Sequence, residues 1–330
     1  MQPPVTVVVV PRERFSRSEI SLECLYRNTP EPFELIYVDG HSPPRLRTYL
    51  EQQAGQKRFQ LIRVPHFVPD PQLRNIGLRE VKTPYVVFIE NDVLVRAGWL
   101  EALLDCAAET KAPVVGPLYI EHLGGRDVVH MAGGVARLED VDGRRHCIER
   151  HRFPGRHISE VAHDLRRQPT ELIEFHCVLM RTDVLRERGG FDEGVKNTAE
   201  HVDLCLTMGH ASHEIYLEPA SVVELVQPPP FSWYDVPFYC TRWNDAWSRQ
   251  TLAHFAGKWR LDPDDPFLSH KHNWTRVRRR QIFDYFLTRA RITSVGRRAA
   301  RRYLLPIADG WIGKTVARRT PRTPEVAARE

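Results

Sequence analysis

The residues best placed to do chemistry follow apolar runs. Glu90-Asn91-Asp92 is an acid-x-acid triplet directly after Tyr85-Val86-Val87-Phe88-Ile89. Two carboxylates one residue apart at the end of a buried strand can point toward one divalent cation. Their hard oxygens suit Mg2+ or Mn2+ shared with substrate phosphates. Pro11-Arg12-Glu13 follows a run of valines and Asp39 ends another apolar run, so polar groups gather at the carboxyl ends of several expected strands. Ligands of open α/β sheets bind outside those ends. No Gly-x-Gly-x-x-Gly follows a strand and no phosphate-loop lysine is present, which argues against dinucleotide dehydrogenases and P-loop enzymes. His122, His130, His146, His151, His157, His163 and His176 have no compact ligand spacing, so no zinc site is expected among them. His201 and Cys205 stand at helical i, i+4 spacing, which zinc can use, but without a second pair the expectation is a buried thiol.

The elements that must position these groups alternate between strand and helix patterns, as in a sheet covered by helices. Strands are expected at 5–10, 33–38, 59–64, 85–89 and from 113, and helices at 44–53, 71–81 and 97–110. Ser16-Arg17-Ser18-Glu19 reads as a capping box opening a helix to about Asn28. From Tyr119 to Pro169 the chain is rich in Gly, His, Arg and Asp without a sustained period, and an irregular, substrate-facing excursion with short strands is expected. Regular patterns resume at 171–180, with helices at 182–188 and 200–208 and a strand at 214–217. Gly189-Gly190-Phe191-Asp192 makes a turn, and Pro228-Pro229-Pro230 marks a boundary.

The 330 residues, 42% hydrophobic and 27% charged, have the composition of a globular enzyme. No apolar run approaches the roughly 18 residues of a spanning helix. The valine run near the start has no basic residue before it and Pro11-Arg12-Glu13 directly after, unlike a signal peptide. Six scattered cysteines with no Cys-x-x-Cys pair read as reduced thiols, so a cytoplasmic protein is expected. From Arg276 to Glu330, fourteen arginines and one lysine face four acids, giving +11; the whole chain is +5, so residues 1–275 carry −6. A basic tail on an acidic body points to an anionic partner, although a solvated helical face accounts for the same residues.

Six motifs in order carry a family resemblance: Val8-Val9-Val10-Pro11, Tyr37-Val38-Asp39-Gly40, Arg74-Asn75-Ile76-Gly77-Leu78, Phe88-Ile89-Glu90-Asn91-Asp92, Gly189-Gly190-Phe191-Asp192-Glu193 and Glu200-His201-Val202-Asp203-Leu204. Together they resemble glycosyltransferase family two, the GT-A fold, over about residues 4 to 226. The resemblance implies an α/β, Rossmann-like mixed sheet flanked by helices, with a helical C-terminal appendage. The catalytic domain would be 1–227, its nucleotide-sugar half ending near 118 and its acceptor half running from about 119, with a helical, basic region at 228–330. It implies a hexosyltransferase-type enzyme of glycan or glycoconjugate synthesis, moving a sugar from a nucleotide-diphosphate donor to an acceptor hydroxyl with inversion. Pro11 and Glu13 would border the base, Asp39 the base or ribose, and Arg74 would help hold the nucleotide. Glu90-Asn91-Asp92 would be the DxD-type motif, with Asp92 the metal ligand for Mn2+ or Mg2+ and Glu90, one methylene longer than Asp, nearer the ribose.

Two positions depart from that pattern. The family's Glu-Asp pair is Glu200-His201 here, so Glu200, His201 or Asp203 would be the general base, or the site would be silent. Glu200 is favoured, and Asp203 has a capping or pairing role as its alternative. Where many relatives place a metal-binding His after the last strand this chain has Glu224, either an oxygen ligand or a surface acid. The aromatic stretch from Phe231 to Trp259 would dock the C-terminal helices or stack on an acceptor. Ile292, Val295, Ala299 and Tyr303 share a helical face opposite Arg297, Arg298, Arg301 and Arg302, as in a helix lying on an anionic membrane. Such contact suits a lipid-linked acceptor, whereas no nucleic-acid motif accompanies the arginines. The alternatives are a catalytically silent relative that binds a nucleotide sugar or glycan, and a nucleotidyltransferase, which the missing Gly-rich phosphate loop argues against. Base, sugar, acceptor and oligomeric state are not legible in the sequence.

Overall fold

The computed structural model describes residues 5–30, 32–226 and 231–319, without the side chains of 305 and 308–319. Pro228-Pro229-Pro230, the expected boundary, lies outside the described residues. Continuous β-branched runs build the centre of one sheet. Strands β1 (Val5–Val10), β2 (Glu34–Asp39), β3 (Gln60–Arg63) and β4 (Tyr85–Glu90) are parallel, in spatial order 3-2-1-4. Helices α1 (Ser18–Arg27), α2 (Pro44–Lys57) and α3 (Asp70–Glu80) connect them. Crossovers of this length let each strand re-enter from the same end, so the four carboxyl ends share one edge. All six residues of β1 are buried, which is why its sequence lacks alternation.

The chain continues through β5 (Val93–Val95), α4 (Trp99–Thr110), β6 (Val114–Leu123), β7 (Arg126–Met131), β8 (Gly134–Val141) and β9 (Arg144–His151). Next come α5 (Ile158–Val161), β10 (Gln168–Thr170), β11 (Cys177–Arg181), α6 (Thr182–Glu187), α7 (Glu200–His210) and β12 (Ile215–Leu225). β11 lies antiparallel between β4 and β6, β12 runs parallel to β6, and β10, β7 and β5 complete a mixed sheet of ten strands.

Two local expectations are corrected. The excursion at 119–169 is largely two regular hairpins, β6–β7 and β8–β9, turning at Gly124-Gly125 and Asp142-Gly143. All four turn residues have positive φ, the backbone of the tight turn that matches strand twist. The outer part of β8 is exposed on both sides, so its polar residues follow no period-2 pattern. The capping box does not form either. Arg17 is the N-cap of α1 and makes no side-chain cap bond, while Ser18 Oγ accepts a hydrogen bond from Asn91 Nδ2 at 2.7 Å.

Beyond the sheet, a short 3-10 turn (Trp233–Asp235) leads into α8 (Val236–Arg242), α9 (Asp245–Trp259), α10 (Pro266–Arg289) and α11 (Ser294–Arg319). Phe238, Tyr239, Trp243, Trp247, Phe255 and Trp259 are buried, so most of the aromatic stretch docks these helices. Ile292 precedes α11 instead of sharing its face, while Val295, Tyr303, Leu304 and Ile307 are exposed. Among the described residues, no helix is long and apolar enough to cross a membrane.

One close approach sets the height of α3 over the sheet. A Cβ on Gly77 would lie 2.4 Å from Val8 Cγ1 and 3.2 Å from Val38 Cγ2. Only a bare backbone lets α3 lie this close to β1 and β2, carrying Arg74 and Asn75 with it. Gly77→Ala improves helix propensity by about 1 kcal/mol at most, against an overpacking cost of about 1–3 kcal/mol. The expected net outcome is destabilisation by up to about 2 kcal/mol in urea unfolding followed by tryptophan fluorescence.

Candidate active site

Glu90 closes β4 with its side chain 2% exposed, so its carboxylate must find partners within the protein. Arg12 Nε lies 3.2 Å from Oε1, and His176 Nδ1 lies 2.6 Å from Oε2. Burial alone would raise the Glu90 pKa, but Arg12 and His176 outweigh it and hold the carboxyl below its ordinary value. Arg74 Nη2 stands 3.7 Å away, a charge neighbour beyond hydrogen-bond reach. The fully buried Arg74 guanidinium lies 4.3 Å from the centre of the Phe175 ring, and its three nitrogens have no hydrogen-bond partner among the described residues. Burial pushes its pKa down.

Asn91 and Asp92 do different things. Asn91 Nδ2 donates to Arg14 O at 2.9 Å and to Ser18 Oγ, so it ties the loop after β1 to α1 instead of lining a binding surface. Asp92 Oδ2 accepts from Arg14 Nε at 2.7 Å, and burial raises its pKa. Glu224, expected beside it, has Arg96 as its charged neighbour at 3.7 Å. In the β5–β12 register Glu224 stands opposite Leu94, on the face that also carries Arg96.

The remaining residues expected on the donor side are held locally. Asp39 accepts from Ser42 N and Arg63 Nη1, both at 2.9 Å. Pro11 packs so close to the next turn that a Cβ on Gly40 would lie 2.8 Å from its ring. Glu13 pairs with Arg278 of α10; burial opposes its ionisation, yet Arg278 and Arg12 hold its pKa at about 2. Asn75 pins the Gly-Gly-Phe-Asp turn, donating to Phe191 O at 2.8 Å and accepting from Phe191 N at 2.9 Å. Gly190 has φ 83° and Asn75 Oδ1 where a Cβ would go, so both backbone and space require glycine there.

The first turn of α7 sends its three candidates to different partners. Glu200 Oε1 accepts from Arg242 Nη2 at 2.6 Å, and Arg242 Nη1 pairs with Asp70 at the start of α3. Against burial, Arg242 lowers the Glu200 pKa to about 2, and Glu200 Oε2 has no hydrogen-bond partner among the described residues. His201 Nε2 lies 2.9 Å from Glu149 Oε1, and Lys271 Nζ is 2.6 Å from the other Glu149 oxygen. Asp203 is engaged by Lys258 Nζ at 2.7 Å and Trp259 Nε1 at 2.9 Å, the pairing alternative foreseen for it.

A cleft of about 720 Å3 opens between the sheet edge, hairpin β8–β9 and α10. Of the residues nominated from sequence, Glu200 and His201 line it; Arg12, Arg278, Lys271 and Trp274 line it too. A smaller cavity of about 210 Å3, walled by the Gly-Gly-Phe-Asp turn, also touches Glu200. The cleft gathers histidines whose sequence spacing gave no hint of a cluster. His130 Nε2 and His176 Nε2 lie 3.0 and 3.2 Å from Glu174 Oε2, and His151 stands beside them. His122, His157 and His163 instead pair locally at the surface. Cys205 is buried, with Sγ accepting from Ile173 N at 3.4 Å. Sequence reasoning missed Arg242, Arg278 and Lys271, because no local pattern ties a C-terminal cation to a particular acid.

The family model "Glycosyl transferase family 2" matches residues 6–189. A pre-mycofactocin glycosyltransferase of Mycobacterium tuberculosis is 27% identical over 165 residues, which are 50% of this chain. The match spans 32%, about a third, of that relative's length. Two solved structures are similar in fold. One is a mannosyltransferase from Pyrobaculum calidifontis in complex with GDP-Man and Mn2+, with a TM-score of 0.52 and 16% identity over 96% of this chain and 86% of that one. The other is GalNAc-T7 with UDP, GalNAc and Mn2+, with a TM-score of 0.52 and 15% identity over 82% of this chain and 54% of that one. The mixed sheet with flanking helices is thus a GT-A fold.

Removing the cation that bridges Asp70 and Glu200 tests the charge arrangement. Arg242→Met keeps an apolar stem but leaves two buried carboxylates facing each other. Breaking a buried pair in this way costs about 3–5 kcal/mol. The expected outcome is a fall in unfolding free energy of that size, measured by urea titration, against an unchanged value for the exposed control Arg298→Met.

Proposed function

The chain belongs to glycosyl transferase family 2, and from that premise we propose that it is a glycosyltransferase whose cleft transfers a sugar from a nucleotide-diphosphate donor to an acceptor hydroxyl with inversion. One observation carries the reading: Arg12 and Glu200 stand on the wall of the same cleft, a cation and a carboxylate one of whose oxygens has no hydrogen-bond partner among the described residues. A departing diphosphate gains negative charge, and fixed cations stabilise that charge. The acceptor hydroxyl must lose a proton as it attacks, and a positioned carboxylate can receive it. In this reading Arg12, with Arg74 behind it, faces the donor phosphates, and Asp39 and the Pro11 loop hold the nucleoside. Residues 1–227 form the catalytic part, and the C-terminal helices add Arg278 and Lys271 to its wall.

Glu200 is the base in this proposal. Arg242 holds one of its oxygens and keeps the group ionised at neutral pH, and Oε2, buried without a hydrogen-bond partner among the described residues, would receive the proton. A pKa near 2 makes it a weak base, so the transfer requires the hydroxyl to acidify as it attacks. His201, oriented by Glu149, is the second reading for the same role, supported by its place on the cleft wall.

The donor set for a divalent cation after β4 is small. Both Glu90 oxygens have cationic partners and Glu224 has Arg96, which leaves Asp92 Oδ1. That fits Mg2+ or Mn2+ in the form usual for ions held by one or two carboxylates plus substrate phosphates. Asp92 would hold the ion, which when bound supplies Lewis-acid stabilisation of the diphosphate.

The acceptor is a carbohydrate or lipid-linked hydroxyl. Val295, Tyr303, Leu304 and Ile307 are exposed on a helix that also carries Arg298 and Arg302, which supports peripheral contact with an anionic membrane and a lipid-linked acceptor.

The donor reading is checked by thermal shift with UDP, GDP, dTDP and CDP, each with and without Mn2+. One of them at 100 times its Kd is expected to stabilise the fold by about 2.7 kcal/mol. Glu200→Gln, which keeps a bond to Arg242, is expected to retain that shift and lose transfer by about 100-fold or more, as removal of a general base does. Retention of transfer would assign the proton to His201, and binding without any turnover in the unaltered protein would identify a silent relative. For the membrane contact, the full chain is expected to sediment with phosphatidylglycerol vesicles and stay in solution with phosphatidylcholine alone.

A further inference from the structure

We propose that His130, Glu174 and His176 form a site for a Zn2+-class divalent cation in the wall of the cleft, separate from Asp92. The three residues are distant or unremarkable in sequence; β7 and the turn before β11 bring them together. Both Nε2 atoms converge on Glu174 Oε2, at 3.0 Å from His130 and 3.2 Å from His176. The ligand atoms of the three residues all lie within 4.8 Å of one another.

The second nitrogen of each ring carries the argument further. His130 Nδ1 lies 2.8 Å from Glu121 Oε1, and His176 Nδ1 lies 2.6 Å from Glu90 Oε2. An imidazole that donates Nδ1–H to a carboxylate presents its Nε2 lone pair outward, and metal-bound histidines are characteristically oriented in this way. Here both rings have that outer carboxylate and both Nε2 atoms converge on a third, so a cation that displaces the Nε2 protons meets two imidazoles and one carboxylate. Two imidazoles and one carboxylate suit Zn2+, Co2+, Ni2+ or Fe2+ better than Mg2+ or Ca2+, which prefer all-oxygen sets.

Local charge agrees. Glu90, Glu121 and Glu174 surround the rings, while the nearby fixed cations are Arg12, whose Nη1 stands 3.0 Å from His176 Nδ1 and 3.2 Å from Nε2, and Arg74 beside Glu90. Against burial, these carboxylates raise the pKa of His176 and bring that of His130 to about 9, so a cation binds by displacing the protons that balance the acids. Arg12 Nε is tied to Glu90 Oε1 at 3.2 Å, so a carboxylate already balances its charge beside His176. Glu149, His151 and His201 also meet within 4.8 Å, but Glu149 there already holds the Lys271 ammonium at 2.6 Å. His130, Glu174 and His176 all line the cleft, so an open coordination position faces its contents.

The site needs no nucleotide, so its test is independent of the donor reading. The full chain, stripped with EDTA, is titrated with Co2+ and followed by its visible d–d absorption, then with Zn2+ in competition with a chromophoric chelator. One equivalent per chain is expected, with the band intensity of a low-coordinate nitrogen–oxygen site. His130→Ala and His176→Ala should each weaken Zn2+ binding more than tenfold. Glu121→Gln, which touches only the outer nitrogen of His130, should weaken it about 10–100-fold. Asp92→Asn should leave it unchanged. Circular dichroism and thermal unfolding first establish that each variant is folded; should either alanine variant fail to fold, Glu174→Gln takes its place, with the same loss expected. The proposal is overturned by an absent Co2+ band in the folded chain. It is equally overturned by binding that these variants do not alter, or by binding that Asp92→Asn removes.

Discussion

Taking a carboxylate out of water around the end of a buried sheet costs several kcal/mol unless a cation comes with it, and this chain does so repeatedly. Glu13, Asp70, Glu90 and Glu200 are each 7% exposed or less. Arg12 answers Glu90, Arg278 answers Glu13, and Arg242 answers Asp70 and Glu200 together. Two of these three arginines lie beyond residue 231, on α8 and α10. The C-terminal helices are therefore coupled to the sheet edge by charge as well as by their buried aromatic side chains. Without them, three acids of the GT-A part would be buried and unpaired.

The same coupling fixes geometry. Arg242 links the start of α3 to the start of α7, so the helix bearing Arg74 and the helix bearing Glu200 cannot shift independently. Asn75 adds a second tie by capping the turn that leads to α7, and Gly77 lets α3 lie close enough to the sheet for that cap to reach. Charge pairs carry these constraints where apolar packing alone would permit sliding, because a displaced carboxylate would be left unpaired. The motif spacing visible along the chain is thus the trace of a few three-dimensional ties.

The cleft joins two electrostatic systems. On one side are arginines facing carboxylates that are held ionised. On the other is a chain of alternating carboxylates and imidazoles, from Glu121 through His130, Glu174 and His176 to Glu90. They meet at Glu90, which Arg12 and His176 share. Any change of charge on the imidazole side is consequently felt by the cation that faces the proposed donor site. Hairpin β8–β9 contributes Glu149 and His151 to the same wall, so the segment without sequence periodicity contributes much of the cleft lining.

By itself the sequence determined the first four strands, the helices between them and the acids at their carboxyl ends, since buried strands and amphipathic helices write their periods locally. The family motifs, Gly77 and the Asn75-bearing segment among them, were legible for the same reason. The outer part of β8 was not, because a strand exposed on both sides has no alternation to read. Nor could the sequence tell that Glu224 turns toward Arg96, that Asn91 braces a loop, or that Asp203 pairs with Lys258, since a one-residue change of register or rotation decides which way each points. Only the tertiary structure brought His130 to Glu174 and Arg242 to Glu200. Such partners are chosen by the requirement that buried charge be neutralised, a condition met across the whole fold and leaving no pattern along the chain.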